Sequence, residues 1–323
     1  MKHMKKTPFF SILVPVFNME SRMDDCIASI KAQTFTDYEV ILVDDGSKDG
    51  SYEMLLGFAK EDSRYSVFRH EGNRSLLCAR YTGMANARGR SILFLDSDDT
   101  IVPDTLETLW RHITECPTDI IRFGVYTDPG GIQLLPPKSD DYYRDFITGK
   151  ISPGIVQNCV SARIVKMAVA EVTPFYCNSG EDTFMTGTLY SYAESFSKID
   201  RCFYCYRIVG GMSRNKESLS MAKLERILES LDNCTENLTA FTEKHRPAYL
   251  DDCVRQCAVM YRYEMCHFIL NADDERMAVD FLTRFGADPH CLDYDYGCRE
   301  VLREFFKRRL GAGPEDRANF NMF

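Results

Sequence analysis

A single tryptophan stands among 323 residues, and no apolar run approaches the roughly 18 residues that a membrane-crossing helix needs. No helical span of a bilayer is expected. Basic charge is also in short supply: 39 Lys+Arg face 48 Asp+Glu, a formal net charge of -9. A protein whose main task is clamping nucleic acid needs concentrated Lys and Arg, so that class is excluded, and no nucleic-acid partner is expected. An anionic ligand remains compatible if a cation mediates. With 45% hydrophobic and 27% charged residues the chain is neither disordered nor fibrous in composition. Its length suggests about two domains, each able to bury a core.

The 13 cysteines are an odd number with no regular framework, which fits thiols in a reducing compartment, so a cytoplasmic location is expected. Cys202 and Cys205 have the spacing of a redox or zinc pair, but Ile199 to Val209 is a β-prone run, and strand residues three apart point to opposite faces. Cys253 and Cys257 share a helix face; no second pair at zinc-finger spacing follows, apart from the nearby Cys266-His267, and buried thiols are expected there. The basic start, Met1 to Pro8, precedes only a short apolar stretch, Phe9 to Val16. That stretch carries Pro15 and lacks a cleavage site, so it reads as a strand rather than a signal peptide.

Short β-branched runs then alternate with helical patterns, which implies parallel strands joined by crossover helices. Strands are expected at Phe9 to Val16, Tyr38 to Val43, Tyr65 to Arg69, Ser91 to Leu95 and Ile120 to Tyr126. Helices are expected from about Met23 to Gln33, Tyr52 to Lys60, Leu76 to Ala87 and Asp104 to Thr114, with Ser47 or Asp49 capping the second. Pro129-Gly130-Gly131 and Pro136-Pro137 mark a loop or hairpin. From Ser218 glycine nearly vanishes until Gly286, and helical periods run over Met221 to Cys234, Leu238 to Lys244, Tyr249 to Leu270, Glu275 to Phe285 and Arg299 to Arg309. A boundary near Asn215 would separate residues 1–215 from a helical C-terminal module, 216–323. Its Arg303, Lys307, Arg308 and Arg309 form a basic end, read as a solvated helix face; peripheral contact with an anionic membrane is the alternative.

In open α/β sheets ligands bind beyond the carboxyl ends of the strands. This sequence loads those ends with acids: Asp44 and Asp45 after the second strand, Asp96, Asp98 and Asp99 after the fourth. Crowded carboxylates repel unless something neutralises them, and Mg²⁺ or Mn²⁺ typically takes one or two carboxylates plus ligand phosphates. Asp49, Asp99 and Asp104 equally suit turns and helix caps. Asp96 and Asp98 bracket a small Ser97, a spacing that lets one carboxylate face a ribose or base and the other a metal.

Ser11-Ile12-Leu13-Val14-Pro15-Val16-Phe17-Asn18, Val43-Asp44-Asp45-Gly46-Ser47, Ala79-Arg80, Ala87-Arg88-Gly89 and Phe94-Leu95-Asp96-Ser97-Asp98-Asp99 occur in order, and together they resemble a family 2 glycosyltransferase of the GT-A fold. The resemblance spans about the first 215 residues. It implies an α/β, Rossmann-like, mixed but mainly parallel sheet flanked by helices. It also implies a metal-dependent inverting transfer from a nucleotide sugar, a UDP-sugar foremost, to a glycan or lipid-linked acceptor in cell-surface polysaccharide synthesis. By that resemblance Pro15, Val16, Asn18 and Asp44 or Asp45 would line the nucleobase pocket, and Arg80 would reach the base or diphosphate. Asp96, with Ser97, would meet the ribose or the metal, and Asp98 would be the firmest ligand of Mn²⁺ or Mg²⁺. The chain departs from the family's usual Ala-Arg-Asn by placing Tyr81 after Arg80. Gly180-Glu181-Asp182 resembles the family's acceptor-side acid pair, with Asp182 as general base and Glu181 binding hydroxyls. An ordinary helix start is the plainer reading of that pair. Tyr204-Cys205-Tyr206-Arg207 followed by Gly210 to Ser213 resembles a strand and a mobile loop that would bring Arg207 to the diphosphate.

Two rival readings use the same residues. Asp96-Ser97-Asp98-Asp99-Thr100 fits the Asp-x-Asp-x-Thr nucleophile element of haloacid-dehalogenase-like phosphatases. The acidic element at Val40 to Asp45 would then stand in the wrong order, before the nucleophile. A nucleotide-sugar-binding scaffold without turnover is the other.

Overall fold

The computed structural model describes residues 7–207 and 221–271. β1 (Phe10–Val16) and β2 (Tyr38–Asp44) are buried at every position, as strands covered on both faces must be. They pair in parallel with β3 (Tyr65–Arg69) and β4 (Ser91–Phe94) in the order β3-β2-β1-β4. The crossovers are α1 (Asp24–Lys31), α2 (Ser51–Glu61) and α3 (Leu76–Asn86), close to the expected bounds.

Past β4 the sheet becomes mixed. It continues through β5 (Thr100–Ile101), α4 (Thr105–Glu115), β6 (Ile120–Asp128), β7 (Gln133–Leu134), α5 (Tyr142–Ile147), β8 (Asn158–Ser161), α6 (Ala162–Glu171), α7 (Glu181–Tyr192) and β9 (Phe196–Arg207). β8 lies antiparallel between β4 and β6, β9 runs parallel to β6, and β5 ends the order β3-β2-β1-β4-β8-β6-β9-β5. β7 folds back on β6 as the hairpin that Pro129-Gly130-Gly131 signals. The α/β class with a mixed, helix-flanked sheet is therefore the architecture that forms. The sequence pattern gives no hint of α5, β8 and α6, because the six-residue α5 buries Tyr142, Tyr143, Phe146 and Ile147 and so shows no polar face to read.

Alternation along the strands builds two cores. Ile12, Val14, Val40 and Leu42 pack toward Ile27, Leu106 and Leu109 on one side of the sheet. Leu13, Ile41, Val43 and Phe94 face the other side, where α3, α5, α6 and α7 contribute Leu77, Phe146, Ile164 and Phe184. α8 (Met221–His245) and α9 (Leu250–Asn271) join this second core through Leu238, Phe241, Cys253 and Cys257. Two helices are expected over 221–244 and one is found. The polar Thr235-Glu236-Asn237 that suggests a break faces outward, while Leu231, Cys234, Leu238 and Phe241 carry the buried stripe through it. Among the described residues no helix is long and apolar enough to cross a membrane. The expected helices over 275–285 and 299–309, the boundary near Asn215, the loop at Gly210 to Ser213 and the basic Arg303, Lys307, Arg308 and Arg309 lie outside the described residues.

Candidate active site

Parallel register sets the carboxyl ends of β1, β2 and β4 side by side, with Val16 opposite Asp44 and Leu13 opposite Phe94. Pro15 and Val16 are buried in the last turn of β1. Asn18, at φ 54°, adopts the left-handed backbone that Asn tolerates; its N–H donates to Ser47 Oγ at 2.9 Å and its Oδ1 accepts from the Lys48 N–H at 2.9 Å. The loops after β1 and β2 are thereby fastened together. Gly46, at φ 74°, lets that loop pass Gly72, whose carbonyl carbon a Cβ would approach to 2.6 Å.

The two acids after β2 separate into different surroundings. Asp45 is saturated: it accepts from the N–H groups of Arg74 at 2.9 Å and Ser75 at 3.0 Å, and His70 Nδ1 lies 2.6 Å from its Oδ1. Asp44 is wholly buried. Its Oδ1 accepts from the Ser47 N–H at 3.3 Å, while Oδ2 has no aligned hydrogen-bond donor and faces Arg69 Nε in an ion pair at 3.1 Å.

Beyond β4 the acids divide similarly. Asp99 is 1% exposed and accepts from the Tyr204 hydroxyl and from the Arg207 N–H at 2.8 Å, so it ties the end of β9 to the rim. Burial pushes its carboxyl up to about 7, with the charges of Asp96 and Asp98 adding to the rise and those two hydrogen bonds opposing it. Of the two readings of Asp99, the geometry favours the structural one. Burial, and then the neighbouring charge of Asp96, also raises Asp98, which keeps a partly exposed carboxylate at the rim. Ser97 between them is buried.

Arg80 is 2% exposed on α3 and occupies the centre of the site. Its Nη2 donates to Asp96 Oδ1 at 2.9 Å and its Nη1 to Asp182 Oδ1 at 2.6 Å, while Nε has no partner. One guanidinium thus joins the β4 rim to the start of α7. Burial works against its charge, and Asp96, Asp182 and Glu181 outweigh that effect, so Arg80 stays protonated.

Glu181 and Asp182 open α7, where acids suit the helix dipole. The preceding Gly180 has φ 85°, and a Cβ there would meet Cys234 Sγ and Met260 Sδ at 3.0 Å each. Glycine is required on both counts. Cys234 on α8 donates to the Gly180 carbonyl at 3.1 Å, so the helical module braces this turn. Burial raises the Glu181 carboxyl to about 7, assisted by the charge of Asp182. Burial also raises Asp182, and Arg80 opposes it.

Arg207, expected near a diphosphate, donates from Nη1 to Asp25 at 2.7 Å on α1. Tyr204 stands in the strand motif with no role assigned to it there; its buried hydroxyl serves Asp99 and also accepts the Asp96 N–H at 3.3 Å. Cys202 and Cys205 separate as expected, Cys205 buried and Cys202 donating to the Val125 carbonyl at 3.2 Å. Among the described residues no three His, Cys, Asp or Glu converge as a metal cage. Asp96 and Asp98 are the two rim carboxylates that could hold a phosphate-bound Mg²⁺ or Mn²⁺, which typically takes one or two.

The family model for Glycosyl transferase family 2 matches residues 11–172, from β1 through α6, half of the chain. Glycosyltransferase GlyA of Streptococcus pneumoniae serotype 4 is 30% identical over 262 residues, covering 74% of this chain and 36% of that protein. The putative glycosyltransferase EpsH of Bacillus subtilis is 42% identical over 106 residues, covering 33% of this chain and 30% of that protein. The chain thus spans about a third of the length of these curated relatives. Among solved structures, Staphylococcus aureus TarS 1-349 in complex with UDP-GlcNAc aligns with a TM-score of 0.58 at 20% identity, covering 97% of this chain and 76% of that one. TarS 1-349 alone aligns at 0.61 and 16% identity, covering 95% and 93%. At such identities the likeness is one of fold. The phosphatase reading of Asp96 falls away, because the family match accounts for the strand ends on either side of it. The ordered acidic strand ends and the matched segment agree: this chain belongs to glycosyl transferase family 2.

Proposed function

We propose that the chain is a metal-dependent inverting glycosyltransferase. In this reading it moves a sugar from a nucleotide sugar, a UDP-sugar foremost, to a hydroxyl of a glycan or lipid-linked acceptor in bacterial cell-surface polysaccharide synthesis. The observation that carries it is the single buried Arg80 gripping both Asp96 and Asp182, because it brings a donor-side and an acceptor-side carboxylate to one guanidinium. The solved complexes of TarS with UDP-GlcNAc and with UDP support the donor class.

Pro15, Val16 and Asn18 would border the nucleobase, with Asp44 or Asp45 accepting its N–H, and Asp96 with Ser97 would meet the ribose. Asp98, with Asp96, would hold Mn²⁺ or Mg²⁺; burial and then the charge of Asp96 raise Asp98, and a cation relieves both effects. When bound, such an ion neutralises charge on the departing nucleoside diphosphate. Arg207 would turn from Asp25 toward the diphosphate. Asp182 would take the proton from the acceptor hydroxyl on the face opposite the leaving group, and Glu181 would orient that hydroxyl or the sugar. The described cysteines are all free thiols, in keeping with a cytoplasmic location at or near the inner membrane face.

A thermal-shift panel of nucleotide sugars with and without Mn²⁺ tests this reading. A UDP-sugar at a hundredfold its dissociation constant is expected to add about 2.7 kcal/mol, and only with metal present. Stabilisation by another nucleotide sugar, with none from any UDP-sugar, would replace the donor assignment.

A further inference from the structure

Arg122 on β6 is 1% exposed, yet no carboxylate among the described residues pairs with it. Its partners are neutral: the Tyr190 hydroxyl on α7, Gln157 Oε1 at 3.1 Å and the Ser152 carbonyl at 3.4 and 3.5 Å, with Nε unpartnered. A buried guanidinium without a counter-charge is costly, and an apolar side chain of similar size would usually pack there at no loss. What it does hold is the segment 152–157 and the second half of α7. That segment meets α7 one turn beyond Asp182, where the Pro153 carbonyl accepts from the Thr186 hydroxyl. Asn158 continues the brace, accepting from the Tyr190 hydroxyl at 2.9 Å and donating to the Gly154 carbonyl at 3.0 Å.

We propose that Arg122 is a positioning residue for Asp182: it fixes Ser152, Gln157 and Tyr190, so that α7, held at Tyr190 by Arg122 and at Thr186 by Pro153, keeps the carboxylate that receives the acceptor proton in place against Arg80. The inference rests on the reading of Asp182 as the base. Asp182 faces Arg80 from α3, Glu181 on its own helix and Asp96 from the β4 end, none of which Arg122 touches.

The test compares wild type with Arg122→Met, Arg122→Lys, Gln157→Leu and Asp182→Asn, measuring kcat and donor KM across pH and counting competent sites by UDP calorimetry. In Arg122→Met, kcat per competent site is expected to fall about tenfold or more, since small misplacements of a reacting group are severe. Donor KM and UDP affinity stay unchanged. A shifted α7 loosens Asp182 from Arg80, whose charge holds its pKa down, so the acid limb of the rate profile moves to higher pH by roughly half a unit. Arg122→Lys recovers part of both effects. Gln157→Leu, which keeps the buried charge and loses one anchor, shifts the limb the same way by less, and it carries the test if Arg122→Met does not fold. A rate reduced by one factor at every pH, or only in proportion to competent sites, overturns the inference. Wild-type turnover in Asp182→Asn would instead overturn the reading of the base.

Discussion

Asp182→Asn is expected to lower transfer by roughly 10²- to 10⁴-fold, the range that a positioned general base contributes, while UDP-sugar binding survives. The amide oxygen can still accept from Arg80 Nη1, and Cys234 still donates to the Gly180 carbonyl, so the start of α7 keeps its anchors. What disappears is the lone pair that receives the proton. The pH profile gives the same prediction a sign. Burial raises the Asp182 pKa, so in the wild type turnover falls as pH drops through a value above the ordinary carboxylate range. Glu181, raised to about 7 beside it, titrates as one system with Asp182, and the acid limb belongs to the pair. Glu181→Gln is therefore expected to move the limb to lower pH, because removing a neighbouring negative charge makes Asp182 easier to ionise, with a smaller loss of rate. Steady-state transfer across pH with one UDP-sugar and Mn²⁺ reads both variants. Tight UDP-sugar binding with no wild-type turnover on any acceptor would return the scaffold reading.

The parts of this site that the sequence makes legible are those in which chemistry and chain position coincide. Asp44, Asp45, Asp96 and Asp98 each end an apolar run, and parallel pairing is enough to bring such ends together. Gly180 before Glu181-Asp182 likewise announces a turn into a helix. Less legible is which acid remains open. Asp45 and Asp99 have the same spacing credentials as Asp44 and Asp98, yet loop amides fill the first and Tyr204 with the Arg207 N–H fills the second. Those partners come from β9 and from the loop after β3, so only the folded sheet assigns them. Arg80 illustrates the limit. Its residue type and motif mark a polar contact, but that the contact joins Asp96 to Asp182 depends on α7 crossing α3, a relation between residues 102 apart in the chain. The helical tail is still more remote in sequence, and α8 bears on the turn before Glu181 through the Cys234 thiol at Gly180 and Ser230 Oγ, which accepts from the Asn178 N–H at 3.1 Å.

Arg80→Met is expected to lose both stability and activity, and the two losses can be separated. Removing one partner of a buried ion pair typically costs about 3–5 kcal/mol, because the charge left behind has no compensation. Here two carboxylates are left, but the side chains of Asp96 and Asp182 are 27% and 34% exposed, so water screens part of the penalty, and about 2–3 kcal/mol at neutral pH is expected. The deficit has a definite pH dependence. Burial already raises Asp182, and without the opposing charge of Arg80 its pKa rises further above the unfolded value. Ionising Asp182 then opposes folding, so the folded state gains stability relative to wild type as pH falls through the raised value. Chemical denaturation of Arg80→Met at neutral and mildly acidic pH is therefore expected to show the gap to wild type narrowing on acidification. A gap that stays constant would mean that lost packing of the Arg80 stem, rather than unpaired acid, sets the cost. The triple variant Arg80→Met, Asp96→Asn, Asp182→Asn removes all three charges and is expected to recover most of the stability, as replacement of a whole buried ion cluster often does. It recovers none of the activity, because the base and the ribose-side carboxylate are gone with the charge. Stability restored without turnover is the result that separates Arg80 as a structural strut from Asp182 as a chemical group. Turnover restored in the triple variant would remove both carboxylates from the reaction.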